Sequence, residues 1–288
     1  MAVLIAVLLI GGGLAFYFIR YRNLIVRLDA GERPPGAREK VEAMATRRPD
    51  DLKVQVWALR LELEAGDMKA AESRIEMLKI KAPADYQTLA GACMYHMTLK
   101  DYPTALPYCE KALAASRRSA ADLNRLGSAY LKLDRAEAAL PLLKEAQTKA
   151  PQSAAVLNNL GYCYLSRRQY ADATRLFQEA IKQDPKYLQA RKNLARTWVE
   201  MKKYEAATQE LQRVLELAPK DLDALFDLAF LNAAYFHNPR QAGEYARQAA
   251  SAGLPPERVK QLAEIIAHPP DLESPEGSML TNPNPDSR

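Results

Sequence analysis

The chain has 288 residues, 48% hydrophobic and 26% charged, the composition of an ordinary folded protein of one or two domains. That excludes disorder throughout. A formal net charge of +5, with no basic stripe interleaved with aromatics in the body of the chain, excludes a nucleic-acid surface.

The amino-terminal stretch "MAVLIAVLLIGGGLAFYFI", residues 1–19, carries no charged side chain. As a helix it would span about 28 Å, close to the roughly 30 Å of a bilayer core. Basic residues follow it (Arg20, Arg22, Arg27) rather than precede it, and no small-x-small exit is present, which predicts an uncleaved anchor. No cysteine follows at lipoprotein spacing. The positive-inside rule then predicts an outer amino terminus and a cytoplasmic remainder, at a bacterial inner membrane. From Arg20 to Arg48 there are eight basic residues against four acidic, so most of the net charge sits beside the apolar run. Arg20, Arg22 and Arg27 are the candidates for contact with anionic headgroups. The glycines at 11–13 are a candidate helix contact, without a longer small-xxx-small seam to support it.

Beyond the flank, "LNNLGYCYLSRRQYADATRLFQEAIKQDP" (Leu157–Pro185) overlays "LNRLGSAYLKLDRAEAALPLLKEAQTKAP" (Leu123–Pro151) at an offset of 34 residues. Ala71, Ala105, Ala139, Ala173 and Ala207 keep that spacing, as do Pro151, Pro185 and Pro219, with Pro49 and Pro83 upstream in the same column. Each unit reads as two antiparallel amphipathic helices, a polar turn and a proline stop. A small column on the first helix (Gly127, Gly161 and Ala195, with Cys93 earlier) and the alanine column on the second let the two helices approach, and a large column on the second (Cys109, Leu143, Phe177, Leu211) fills what remains. Pro107 and Pro141 sit early in second helices, where the lost donor costs little.

The period, the Leu-Gly-x-x-Tyr spacing, the alanine column and the closing proline resemble the tetratricopeptide repeat family. That resemblance implies an all-α superhelix of helical hairpins. The expected organisation is an anchor with basic flank at 1–27, a linker with an orphan second helix at 28–51, and six repeats over 52–255. The repeats are 52–85, 86–119, 120–153, 154–187, 188–221 and 222–255, the last loose because Asn232 takes the aromatic column and "FHNPRQA" lengthens the turn. "PPERVKQLAEIIAH" reads as a capping helix over 256–268, and 269–288, rich in Pro, Ser and acid, as a disordered tail.

The resemblance further implies that first helices line a groove for an extended peptide or partner helix. The matching positions are Asn124, Arg125 and Ser128; Asn158, Asn159 and Tyr162; Lys192, Asn193 and Arg196; and Phe226, Asp227 and Phe230. Asparagine offers donor and acceptor to a peptide main chain whatever its side chains. Arg125, Lys192 and Arg196 predict a preference for acidic or carboxylate-ended peptides. The family's carboxylate clamp is not carried over, because Gln189 and Asn193 stand where cations are expected.

No Gly-rich phosphate loop, paired-carboxylate motif or G-x-S-x-G elbow occurs, and His96, His237 and His268 fall in different units, so catalysis, cofactors and small-molecule substrates are not expected. A Cys93–His96–Cys109 metal or redox site lacks a fourth ligand. Both cysteines occupy packing columns and read as buried reduced thiols, and the odd total of three fits a reducing compartment. The function expected is a membrane-tethered scaffold or assembly factor that binds protein partners. The alternatives are an envelope-facing part of a pilus, secretion or cell-wall machine with reversed topology, and an accessory metal or redox protein.

Overall fold

The computed structural model describes residues 23–29 and 32–270, and every regular element among them is helical. After a helical segment at 23–29 come α1 (Ala37–Arg47), α2 (Leu52–Glu64), α3 (Met68–Lys81), α4 (Tyr86–Thr98) and α5 (Tyr102–Ala115). Then follow α6 (Ala120–Lys132), α7 (Ala136–Lys149), α8 (Ala154–Ser166), α9 (Tyr170–Gln183), α10 (Leu188–Glu200), α11 (Tyr204–Leu217), α12 (Leu222–Ala234), α13 (Pro239–Ser251) and α14 (Pro256–Ala267). They divide into two compact units, one ending at Arg117 and one starting at Arg118. The expected anchor with Arg20 and Arg22, and the tail from 271 on, lie outside the described residues. No helix among the described residues is long and apolar enough to cross a membrane.

Helix ends follow from local chemistry. Asp51, Asp85, Ser119, Ser153 and Asp221 begin first helices, each side chain accepting a hydrogen bond from a backbone N–H two or three residues on. First helices stop at a left-handed residue that recurs every 34 positions, Gly66, Lys100, Asp134, Arg168 and Lys202, with φ between 55° and 72°. The following N–H closes back over five residues: Arg135 to the Tyr130 carbonyl at 2.9 Å, Gln169 to Tyr164 at 2.9 Å, Lys203 to Trp198 at 2.7 Å. This is a Schellman closure, and it turns the chain into the second helix. In the last hairpin the left-handed residue is His237, one position later than the period, as the longer turn predicts.

Packing inside α6–α7 and α8–α9 rests on a small-to-large pair. A Cβ added at Gly127 would lie 2.7 Å from the fully buried Leu143, and one at Gly161 would lie 2.8 Å from the fully buried Phe177. The large side chain thus occupies the space a first-helix side chain would need. At the same two positions of the α4–α5 hairpin stand Cys93 and Cys109, and here the structure corrects the sequence reading. They are joined in a disulfide, their Cα atoms 5.0 Å apart, and are not two reduced thiols. Neither sulfur is then a thiolate for a metal, so the Cys93–His96–Cys109 site lacks two of its three ligands. Cys163 is free and buried; its thiol donates to the Ala136 carbonyl at 3.4 Å, and burial pushes its pKa up to about 11.

In the first unit the segment before α1 packs on the repeats. Ile25 and Leu28 are buried with Val41, Val54, Trp57 and Leu61. Asp29 accepts from Trp57 Nε1 at 2.9 Å and from Lys53 Nζ at 2.6 Å. Arg27 pairs with Glu32 at 2.6 Å, and Arg33 and Arg38 pair with Glu64 and Asp67 at 2.6 and 2.7 Å. These pairs are half-exposed and each stabilises by at most about 1 kcal/mol. Deeper lies Arg74 on α3, whose guanidinium donates to Glu62, to Glu42 of α1 and to Gln55 Oε1 at 2.5 Å. Glu62 and Gln55 are buried, so this hub satisfies polar groups that would otherwise be stranded in the core.

Candidate functional site

In the second unit the first helices touch one another across repeats, α6 with α8 and α8 with α10. They therefore form one continuous inner face, and the periodic positions 124, 158 and 192, 125, 159 and 193, and 128, 162 and 196 lie along it. The structure brings the expected amides together more closely than the sequence suggests. Gln189 Nε2 donates to Asn193 Oδ1 at 3.1 Å, Asn193 Nδ2 to Asn158 Oδ1 at 2.9 Å, Asn158 Nδ2 to Asn159 Oδ1 at 3.3 Å, and Asn159 Nδ2 to Asn124 Oδ1 at 3.0 Å. Two of the four bonds cross between helices, each donated toward the preceding repeat, and the other two link them within α10 and α8 into one ladder. Asn158 and Asn193 are buried inside it, whereas Asn124 and Asn159 are half-buried at its amino-terminal end. Asn124 Nδ2 makes no hydrogen bond among the described residues and is the free donor of the series.

The cations differ from the expectation of a positive groove. Arg125 Nη1 donates to the buried Asp122 at 2.7 Å. Lys192 Nζ lies 3.1 Å from Asp221 and 3.0 Å from Asp223. Burial works against the ammonium charge, but the two carboxylates outweigh it and hold the Lys192 pKa above its ordinary value. Asp221 also caps α12, accepting from Ala224 N–H at 2.9 Å, so one carboxylate fixes both the next helix and the lysine. Of the three expected cations, Arg196 has no carboxylate partner among the described residues; its Nη1 is buried without a hydrogen bond. Ser128 and Tyr162 are half-buried on the same face.

Phe226, Asp227 and Phe230 do not extend the groove. All three are buried. α14 packs over α12, with Val259 and Leu262 in the cluster that holds Phe226, and the Arg258 guanidinium lies 4.2 Å from the Phe226 ring centre. The first unit shows a parallel arrangement: Trp57, in the same column as Asn159, is covered by residues 25–29 and by the Arg60 guanidinium at 4.3 Å. Sequence reasoning expected a capping helix over 256–268 but not its cover over the groove column at Phe226, and it did not expect the cover over Trp57. Both covering segments lie outside the 34-residue period, so no register showed which positions they would cover.

Among the described residues no group of His, Cys, Asp or Glu is placed to hold a metal ion. His96 is mostly buried; both ring nitrogens lack a hydrogen bond, and its ring stacks on Tyr108 with centres 5.5 Å apart. Burial, then Lys79, push its pKa down, while Asp101, 3.4 Å away, opposes them.

Comparison with known proteins agrees with this geometry. Tetratricopeptide repeat family models match residues 94–154, 124–187 and 164–229. No curated protein matches the chain. Among solved structures, the APC/C hetero-tetramer Cut9–Hcn1 aligns with a TM-score of 0.69 at 16% identity, over 80% of this chain but only 46% of that one. PilW, a type IV pilus biogenesis factor, aligns at 0.63 with 18% identity over 74% of this chain and 99% of its own. PilF of Pseudomonas aeruginosa aligns at 0.57 with 20% identity over 75% and 98%. At these identities the likeness is one of fold. The 34-residue hairpins of residues 94–229 are therefore tetratricopeptide repeats, set in an all-α array of the same fold.

Proposed function

We propose that the protein is a non-enzymatic interaction scaffold that takes an extended partner peptide on the inner face of α6, α8 and α10, tethered to a membrane through residues 1–19. The observation that carries this reading is the continuous amide ladder from Gln189 to Asn124. Its buried members, Asn158 and Asn193, hold the half-buried Asn159 and Asn124 at the face, and it ends in a free donor at Asn124. The built-in partners of Arg125 and Lys192 favour a peptide of low net charge over the acidic one that the sequence suggests. PilF and PilW share the fold, and an assembly role at a membrane is the form of scaffold we favour.

The test is site-specific photo-crosslinking in membranes. A benzophenone side chain at Ser128 or Tyr162 should capture a partner, and one at the exposed Arg175 on α9 should not. Adducts from Arg175 alone would refute binding on the inner face.

A further inference from the structure

The Cys93–Cys109 bond carries information about where the repeats reside. In the next three hairpins the same columns hold a small and a large residue, Gly127 with Leu143, Gly161 with Phe177 and Ala195 with Leu211, and in α2–α3 they hold Leu59 and Ile75. Only in α4–α5 are both members of the pair cysteine, and both are buried, at 0% and 2% exposure. A cysteine on one side alone would be ordinary core packing. Cysteines on both sides of one contact, joined, form a structural cross-link, and such bonds persist where the environment is oxidising. Cys163, the third cysteine, is isolated on α8 and buried, so it offers no competing partner.

We infer that the Cys93–Cys109 pair is a substrate of a thiol-oxidising system and that the repeats lie on the oxidising side of the membrane, opposite to the side the basic flank predicts. The oxidant is of the disulfide-exchange class. The thiolate of one cysteine attacks the oxidant's disulfide and gives a mixed disulfide. The thiolate of the second then displaces the oxidant's sulfur, so two protons leave the protein and two electrons reduce the oxidant to its dithiol. Because both sulfurs are buried in the closed hairpin, the exchange takes place before α4 and α5 pack. This inference needs no partner peptide, so it stands or falls apart from the proposed scaffold role.

The experiment uses the full-length chain with a carboxy-terminal tag, expressed in bacterial cells. Cells are quenched in acid, and the denatured protein is alkylated with a mass-tagged maleimide before and after reduction. The expected result is one labelled thiol before reduction, Cys163, and three after it. Cys109→Ser run in parallel should show two labelled thiols before reduction, which assigns the bond. Protease added outside the inner membrane should remove the tag. Three labelled thiols before reduction would overturn the inference, and a bonded pair with a protected tag would overturn the orientation.

Discussion

Reducing the α4–α5 cross-link perturbs a contact whose alternatives are visible in neighbouring hairpins. The bond closes a loop with a sequence separation of 16 residues. Chain-entropy reasoning gives about 3 kcal/mol of stabilisation for a loop of that length. With a urea slope of about 2 kcal/mol/M, reduction should lower the unfolding midpoint by about 1.5 M. Cys93→Ser with Cys109→Ser should fall further, because two hydroxyls are buried without partners at about 1–3 kcal/mol each. Cys93→Gly with Cys109→Leu copies the Gly127–Leu143 pair and should recover the packing while losing the cross-link, so its midpoint should match or exceed that of the reduced natural protein. Urea unfolding followed by far-UV circular dichroism, with and without reductant, ranks the four forms. A Gly/Leu variant less stable than the Ser/Ser variant would refute the equivalence of the pairs, and a midpoint indifferent to reductant would refute the cross-link.

Further outcomes can be checked in the same assay. Gly127→Ala gains about 1 kcal/mol of helix propensity but pushes a methyl group to 2.7 Å from Leu143, so it should be net destabilising by about 1 kcal/mol; in a Leu143→Ala background the same change should be neutral or stabilising. Asn158→Ala and Asn193→Ala should each cost about 1–3 kcal/mol and together less than their sum, because each leaves the other's amide already unpaired; strict additivity would refute the ladder. Arg74→Ala strands the buried Glu62 and should cost about 3–5 kcal/mol, whereas Arg74→Met with Glu62→Met should recover most of it. His96 has a depressed folded pKa, so it is neutral in both states and stability is full above about pH 6.5. Below that pH the unfolded chain takes up a proton that the folded hairpin resists, so stability declines as pH falls through the folded pKa. The groups facing the ring are Lys79, Glu76 and Asp101. His96→Phe should flatten the acid limb of midpoint against pH, and identical limbs would refute the assignment.

The hairpins were legible because their determinants are local and periodic: the amphipathic faces, the polar turns, the proline stops, and the small, alanine and large columns. The inner face was legible as positions but not as chemistry. Asn159 meets Asn124, and Asn193 meets Asn158, across a separation of 35 residues, one more than the period. A comparison by columns therefore places these partners in different columns. Lys192 looks unpaired on its own helix, because Asp221 comes from the last position of its repeat and Asp223 from the first turn of the next. The disulfide was within reach: Cys93 and Cys109 occupy the pair that is Gly127 and Leu143 one repeat on, yet each was read as a core thiol and the contact between them was not drawn.

The cover that α14 lays over Phe226 sets the length of open face left in the second unit for the proposed partner. Three first helices, α6, α8 and α10, remain beside it, and at about 8–10 Å between packed axes they offer a strip about 25 Å long. An extended chain advances about 3.3 Å per residue, which leaves room for about seven or eight residues. A partner bound there as proposed would be read as a short linear word.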